Sequence, residues 1–322
     1  MTERSVPALQ PLPAARIGTT MLRPDTAIRA AALGALFVLA LTTPGFTAHA
    51  SLLSFINTAA LVGCVAVGMT FITVSGNIMS FSLGTTTGAT SLMFAALSGH
   101  GIALALLAAV LLAIVLNVVQ GLVIGLFRAN PIIVSIAALT LIEGAAEMWT
   151  GNAILYVSEG SLSFLKGKVA GIPVSGIVLL ACVALGQAVL RYTQFGQNVV
   201  MVGSNFRAAR AAGVKTWRTV TAAYGWAGFF TSIAAILIAA RYDAGHIEYG
   251  AGYDYSAIAG VLVGGTAISG GQGSVLRSFV GVVVIAAISV ILLLRGFATE
   301  YQHLFTGLVV LAAVLVQGRL RA

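Results

Sequence analysis

The sequence predicts an all-α integral membrane protein of about ten spanning helices, and three observations carry that expectation. Of its 322 residues 59% are hydrophobic and only 8% charged, with a mean hydropathy of +1.01; soluble domains carry about a quarter charged residues. Ten apolar runs approach the ~20 residues that a spanning helix needs, near 30–43, 52–74, 80–98, 101–126, 131–149, 174–190, 218–240, 255–270, 278–294 and 304–318. The period-2 alternation of an outer-membrane barrel is absent. Seventeen basic and nine acidic side chains cannot furnish a water-facing surface for this chain. That excludes a soluble enzyme, a disordered chain and a disulfide-rich secreted module.

The basic residues orient the runs. With the N-terminus in the cytoplasm, the inner side holds Arg4, Arg16, Arg23, Arg29, Arg128, Arg191, Arg207, Arg210, Lys215, Arg218, Arg277, Arg319 and Arg321, thirteen of the seventeen. The outer side holds Lys166, Lys168, Arg241 and Arg295. Both termini are therefore expected in the cytoplasm. The net charge of +8 reads as this inside bias and implies no nucleic-acid partner.

Residues 1–29 form a cytoplasmic leader and residues 30–322 one transmembrane domain, because no linker or shift in composition divides them. The first run imitates a secretory signal, with Ala48-His49-Ala50 as a cleavage site. The leader is long and carries Glu3 and Asp25, so the run is read as retained. The third and eighth runs are the weakest, rich in Gly, Ser and Thr. Cys64 and Cys182 sit in apolar runs and read as small buried hydrophobes. Gly84/Gly88, Gly121/Gly125 and Gly260/Gly264 are spaced four apart, which lets helix backbones approach closely.

Two loops interrupt the hydrophobicity. Residues 150–173 form an outer loop with Glu159, Lys166 and Lys168. Residues 191–218 form the longest inner loop. There Ser204 or Asn205 can cap a short helix through Arg207, Ala208, Ala209 and Arg210, and Gly213 can end it. Both caps being present favours a docking element over a solvated connector.

Chemistry is sparse. Ser269-Gly270-Gly271-Gln272 imitates a nucleotide-hydrolase signature, yet none of the three lysines completes a phosphate-cradling loop. The four histidines lack metal-ligand spacing. No catalytic residue, metal or cofactor is expected. Polarity at membrane depth is the informative signal. Glu143 and Glu147 lie one turn apart on the fifth run, and Glu143, near mid-span, reads either as a structural partner or as part of a pathway. Asn117 and Gln120 read as interhelical hydrogen-bond partners. The stretch 76–88, with Asn77, Ser80, Ser82 and Thr85 among its glycines, argues for a helix break lining a substrate pathway. A second such stretch, 263–274, contains Gly264 and Gly265.

Four ordered motifs carry a family resemblance. Tyr255 to Thr266, followed by Gly270-Gly271-Gln272-Gly273-Ser274, resembles the Gly-rich C-terminal signature of ribose-type sugar ABC-transporter permeases. Ala66-Val67-Gly68-Met69-Thr70, Asn130-Pro131-Ile132-Ile133-Val134 and Val202-Gly203-Ser204-Asn205 agree in order and spacing. The resemblance implies an ABC importer permease fold in a bacterial inner membrane, with a cytoplasmic ATPase, a second permease subunit and a periplasmic solute-binding protein as partners. The short inner helix then resembles the family's coupling element. The family's Gly-Gly-Ile-Asp-Leu-Ser-Val-Gly departs here, with Ser80 at the Asp position, which leaves the solute open. A gradient-driven secondary transporter with Glu143 as proton relay is the alternative.

Overall fold

The computed structural model describes residues 42–158, 162–169, 171–298, 301–302, 304–309 and 311. The leader, most of the first apolar run and much of the tenth lie outside them. Six described helices are long and apolar enough to cross a membrane: α1 (His49–Val74), α3 (Ile102–Phe127), α4 (Pro131–Thr150), α6 (Val174–Tyr192), α9 (Thr216–Tyr242) and α11 (Val275–Leu294). The two weakest runs are helical but short. They become α2 (Leu83–Leu97), of 15 residues, and α10 (Tyr253–Val263), of 11. Between α6 and α9 lie α7 (Gln194–Ser204) and α8 (Phe206–Ala211), and a single turn, α5 (Ser163–Lys166), sits in the outer loop.

Helix α1 is the centre of the fold. Ala59 through Val74 are buried without a break, so this helix is apolar on every face and has helices all round it. Helix α9 packs along α3 and α1, and α11 along α10 and α1. Phe71 of α1 stacks on Phe195 of α7 and on Trp226 and Phe230 of α9, with ring centroids 5.9–6.2 Å apart. By contrast, α3 turns Leu104, Leu107, Leu111, Val115 and Val119 outward. That spacing of three and four forms one apolar stripe, the face a helix offers to lipid. Its opposite face buries Asn117 and Gln120.

The glycine pairs act as the spacing suggests. Gly121 and Gly125 admit α9 at Tyr224 and Trp217, and Gly260 and Gly264 admit α11 at Val282 and Arg277. Gly84 and Gly88 receive no long helix. They accept an extended and 3-10 segment, residues 244–252, at Gly250 and Ile247. This segment starts as β4 (Ala244–Gly245), paired antiparallel with β1 (Leu155–Tyr156); β2 (Lys168–Val169) and β3 (Ile172–Pro173) form a small hairpin.

Candidate functional site

Three segments far apart in the chain meet at one junction: the break 75–82 between α1 and α2, the break 264–274 between α10 and α11, and the end of α7. The Gly271 N–H donates to the carbonyl of Val74, the last residue of α1, at 2.9 Å. This partners a carbonyl that a helix end leaves open. Gly76 (φ +84°) and Gly270 (φ +80°) adopt left-handed backbone, and a methyl group at Gly270 would strike the Gly76 backbone. Gly203 wedges between them, so a methyl group there would strike the Val74 carbonyl and stand 3.0 Å from the Gly76 nitrogen. Ser204 Oγ donates to the Val200 carbonyl at 2.7 Å and reaches the Gly271 carbonyl at 3.5 Å.

The short helix α8 begins two residues later, at Phe206. Of the two candidate caps, Asn205 is the one used. Its backbone is extended and its Oδ1 accepts from the Ala208 N–H at 3.0 Å, whereas Ser204 closes α7. Gly213 (φ +83°) ends the turn, its N–H donating to the Arg210 carbonyl and that of Val214 to the Ala209 carbonyl, both at 3.0 Å. This is a Schellman closure, which needs a residue at ease with positive φ. Ala209 anchors α8 in the core, while Arg207, Ala208 and Arg210 face outward. The Arg128 guanidinium at the end of α3 lies 4.5 Å above the Phe206 ring, tying α8 to a second span.

The first break buries a short polar chain. Ser80 and Ser82, both fully buried, approach through their hydroxyls at 3.0 Å, and Ser82 Oγ donates to Gln120 Oε1 of α3 at 2.7 Å. Gln120 is thus the interhelical partner expected. Asn117 donates only within its own helix, to Ala113. Asn77 Nδ2 donates to Ser75 Oγ at 2.8 Å, and Thr85 is half-buried in the first turn of α2. Glu143 is half-buried on α4 and makes no hydrogen bond or ion pair with another described residue. Its neighbour Ile142 packs with Ala89 and Leu92 of α2, a turn or more beyond the break. Gly264 and Gly265 form the Schellman end of α10, the Gly265 N–H donating to Leu262 and that of Thr266 to Val261. Gly264 is covered by the α11 backbone at Arg277 and Ser278.

Sequence reasoning missed Asp254. It is 3% exposed and sits in the first turn of α10, its Oδ1 accepting from the Tyr255 N–H at 2.9 Å. The carboxylate also lies against Gly84, 3.1 Å from where a Cβ there would stand. It therefore faces the N-terminal turns of both α10 and α2, whose open N–H groups and dipoles favour a negative charge. The eighth apolar run starts at Tyr255 in the sequence, two residues after the helix itself begins at Tyr253. The Gly250-Ala251-Gly252 approach followed by an acid in a first helical turn is the signal that finds it. Five further buried atoms lack a partner among the described residues: Thr90 Oγ1, Asn117 Oδ1, Thr221 Oγ1, Tyr224 Oη and Thr231 Oγ1. All lie on α2, α3 and α9, so the polar layer extends along those three helices.

Comparison with known proteins places this geometry. The family described as "Branched-chain amino acid transport system / permease component" matches residues 51–314. A ribose import permease protein of Bacillus subtilis (strain 168) is 31% identical over 284 residues, covering 87% of this chain and 88% of its own. An autoinducer 2 import system permease protein of Escherichia coli (strain K12) is 28% identical over 267 residues, with 80% of each chain covered. No solved structure matches.

Proposed function

The chain belongs to the family described as the permease component of branched-chain amino acid transport systems, and from that membership we propose how its parts divide the work of an ATP-driven importer. It is the membrane-spanning permease subunit, without an ATP site of its own. A partner ATPase docks on α8 from the cytoplasm, a periplasmic binding protein delivers the solute, and a second permease subunit completes the path. Ten spans, an inner-membrane location and cytoplasmic termini follow from the apolar runs and from the thirteen-to-four division of basic residues.

The solute is small, polar and sugar-like, a reading supported by relatives at 31% and 28% identity that are named for ribose and autoinducer 2. Asn77, Ser80, Ser82 and Thr85 at the first break face this path, with Gly264 and Gly265 shaping the second break. Asp254 supplies the carboxylate that the stretch 76–84 lacks. Its position against Gly84 puts a hydrogen-bond acceptor for hydroxyl groups beside the start of α2. A proton relay through Glu143 is not favoured: this carboxylate has no cationic partner among the described residues, and a relay needs a chain of titratable groups.

The observation that carries the reading is the attachment of α8. Ser204, immediately before the Asn205 cap, contacts the junction of both helix breaks, so a push on α8 reaches the path directly. Charge reversal at Arg207→Glu and Arg210→Glu tests it. Both side chains are exposed, and single exposed ion pairs contribute only about 0–1 kcal/mol, so the double change is required. The variant is expected to insert at normal levels and lose the co-purifying ATPase. Retained ATPase and wild-type uptake would reduce this loop to a solvated connector.

A further inference from the structure

We propose that one face of α9 binds an anionic phospholipid, its phosphate held at Lys215 and Arg218 and its acyl chain laid against Trp226 and Phe229. The face is a single stripe. Arg218, Ala222, Trp226 and Phe229 recur at intervals of three and four, which places them on one side of α9, and Lys215 stands immediately before its first residue. Two hollows lie along it. The one at the start of α9 has about 580 Å³; Gln194, Asn198, Lys215, Arg218 and Thr219 line it together with Phe195, Val214 and Ala222. The next has about 350 Å³ and is lined by Ile114, Leu185, Gly225, Trp226 and Phe229, again with Ala222. They share Ala222 as a lining residue, so the hollow that holds both cations adjoins the apolar one.

The chemistry of the first compartment calls for an anion. Lys215 and Arg218 have no carboxylate partner among the described residues, where the one ion pair joins Lys166 to Asp243 at the far end of α9. The amides of Gln194 and Asn198 add neutral donors beside the two cations. Arg218 stacks over Trp217 at 5.1 Å, which orients its guanidinium. Basic pockets between spanning helices on the cytoplasmic side bind anionic headgroups.

The second compartment identifies the source of that anion. A free phosphate or a soluble metabolite needs only the basic end. Ala222 to Phe229 covers about 10 Å of rise along the helix, the depth that the first part of an acyl chain occupies below its headgroup. The groove opens between α3 and α6, where Leu185 is 42% exposed, on the side from which a lipid can slide in. Placement in the inner leaflet rests on the orientation proposed above; the binding itself does not.

The test uses the full-length chain in nanodiscs of equal phosphatidylglycerol and phosphatidylcholine, extracted and weighed by native mass spectrometry. Wild type is expected to retain phosphatidylglycerol over phosphatidylcholine by roughly ten-fold, because each Lys or Arg near an anionic headgroup adds a several-fold preference. Lys215→Gln with Arg218→Gln should bring that ratio to parity. Ala222→Phe, which adds bulk where the hollows adjoin, should remove retained lipid while size-exclusion behaviour stays normal. Equal retention of the two lipids by wild type, or a preference unchanged in the double variant, overturns the proposal. So does protection of Lys215 from acylation by inorganic phosphate that persists in Ala222→Phe without retained lipid, the result for a free-phosphate site. Lipid retention is read without the ATPase, so its failure leaves the docking role of α8 untouched.

Discussion

The backbone N–H of Gly271 donates to the carbonyl of Val74 across 2.9 Å, and this one bond fastens the Gly-rich turn after α10 to the end of the central helix. With Gly203 pressed into the same point, motion of α7 and α8 cannot leave the helix breaks behind. The junction is packed backbone to backbone, and at Gly203 it has no room for a side chain.

Gly203→Val tests that intolerance. The added atoms meet the Val74 carbonyl and the Gly76 backbone, which no rotamer can avoid. Overpacking of this kind costs about 1–3 kcal/mol. A lower thermal midpoint in detergent, with uptake lost even where the protein inserts, is the expected result; Gly144→Val, at a position with open space around it, should change stability little.

Ser82→Ala removes the donor to Gln120 Oε1. Interhelical hydrogen bonds in membranes are worth about 0.6 kcal/mol on average and up to ~1.7. Stability should fall within that range, read as a small shift in a detergent or urea melt. A loss of several kcal/mol would mean that the Ser80–Ser82–Gln120 chain holds far more of the fold than its pairwise bonds suggest.

Asp254→Asn keeps the shape of the side chain and removes its charge. If the carboxylate accepts hydrogen bonds from solute hydroxyls, uptake should drop roughly ten-fold or more, since a hydrogen bond to a charged group is worth about 1.5–3 kcal/mol. Membrane levels should stay normal. Unchanged uptake would assign Asp254 to the helix termini of α2 and α10 alone.

Gly213→Val probes the end of α8. Nothing lies within 4 Å of a Cβ there, so the whole effect comes from φ +83°, a region that costs an L-residue about 1–2 kcal/mol. Co-purification of the ATPase should weaken, while Gly213→Asn, which tolerates this conformation, should retain it. Equal behaviour of the two variants would separate the helix end from docking.

Much of this arrangement was legible in the sequence because membrane burial leaves a strong compositional trace. The six long helices fall on apolar runs, and both breaks fall on the clustered glycines of 76–88 and 263–274. Caps are local, so Asn205 and Gly213 could be read from the chain alone. Asp254 could not, because its meaning depends on Gly84, 170 residues away in the chain, and on a non-helical segment lying where a helix was expected. The junction at Gly203 was hidden for the same reason. A glycine records that something comes close, and only the fold says what. Gly264 and Gly265 end α10 in a Schellman turn, a role that their clustering in the sequence does not specify.

Solute uptake under two separate energy blocks tests the central claim most directly. In cells, or in vesicles carrying the whole transporter, the partner ATPase is inactivated in one arm. In the other the proton gradient is collapsed while ATP is maintained. The account predicts that uptake disappears with the ATPase and persists without the gradient. Uptake that survives loss of the ATPase and collapses with the gradient would contradict it, and would return Glu143 to the centre of the mechanism.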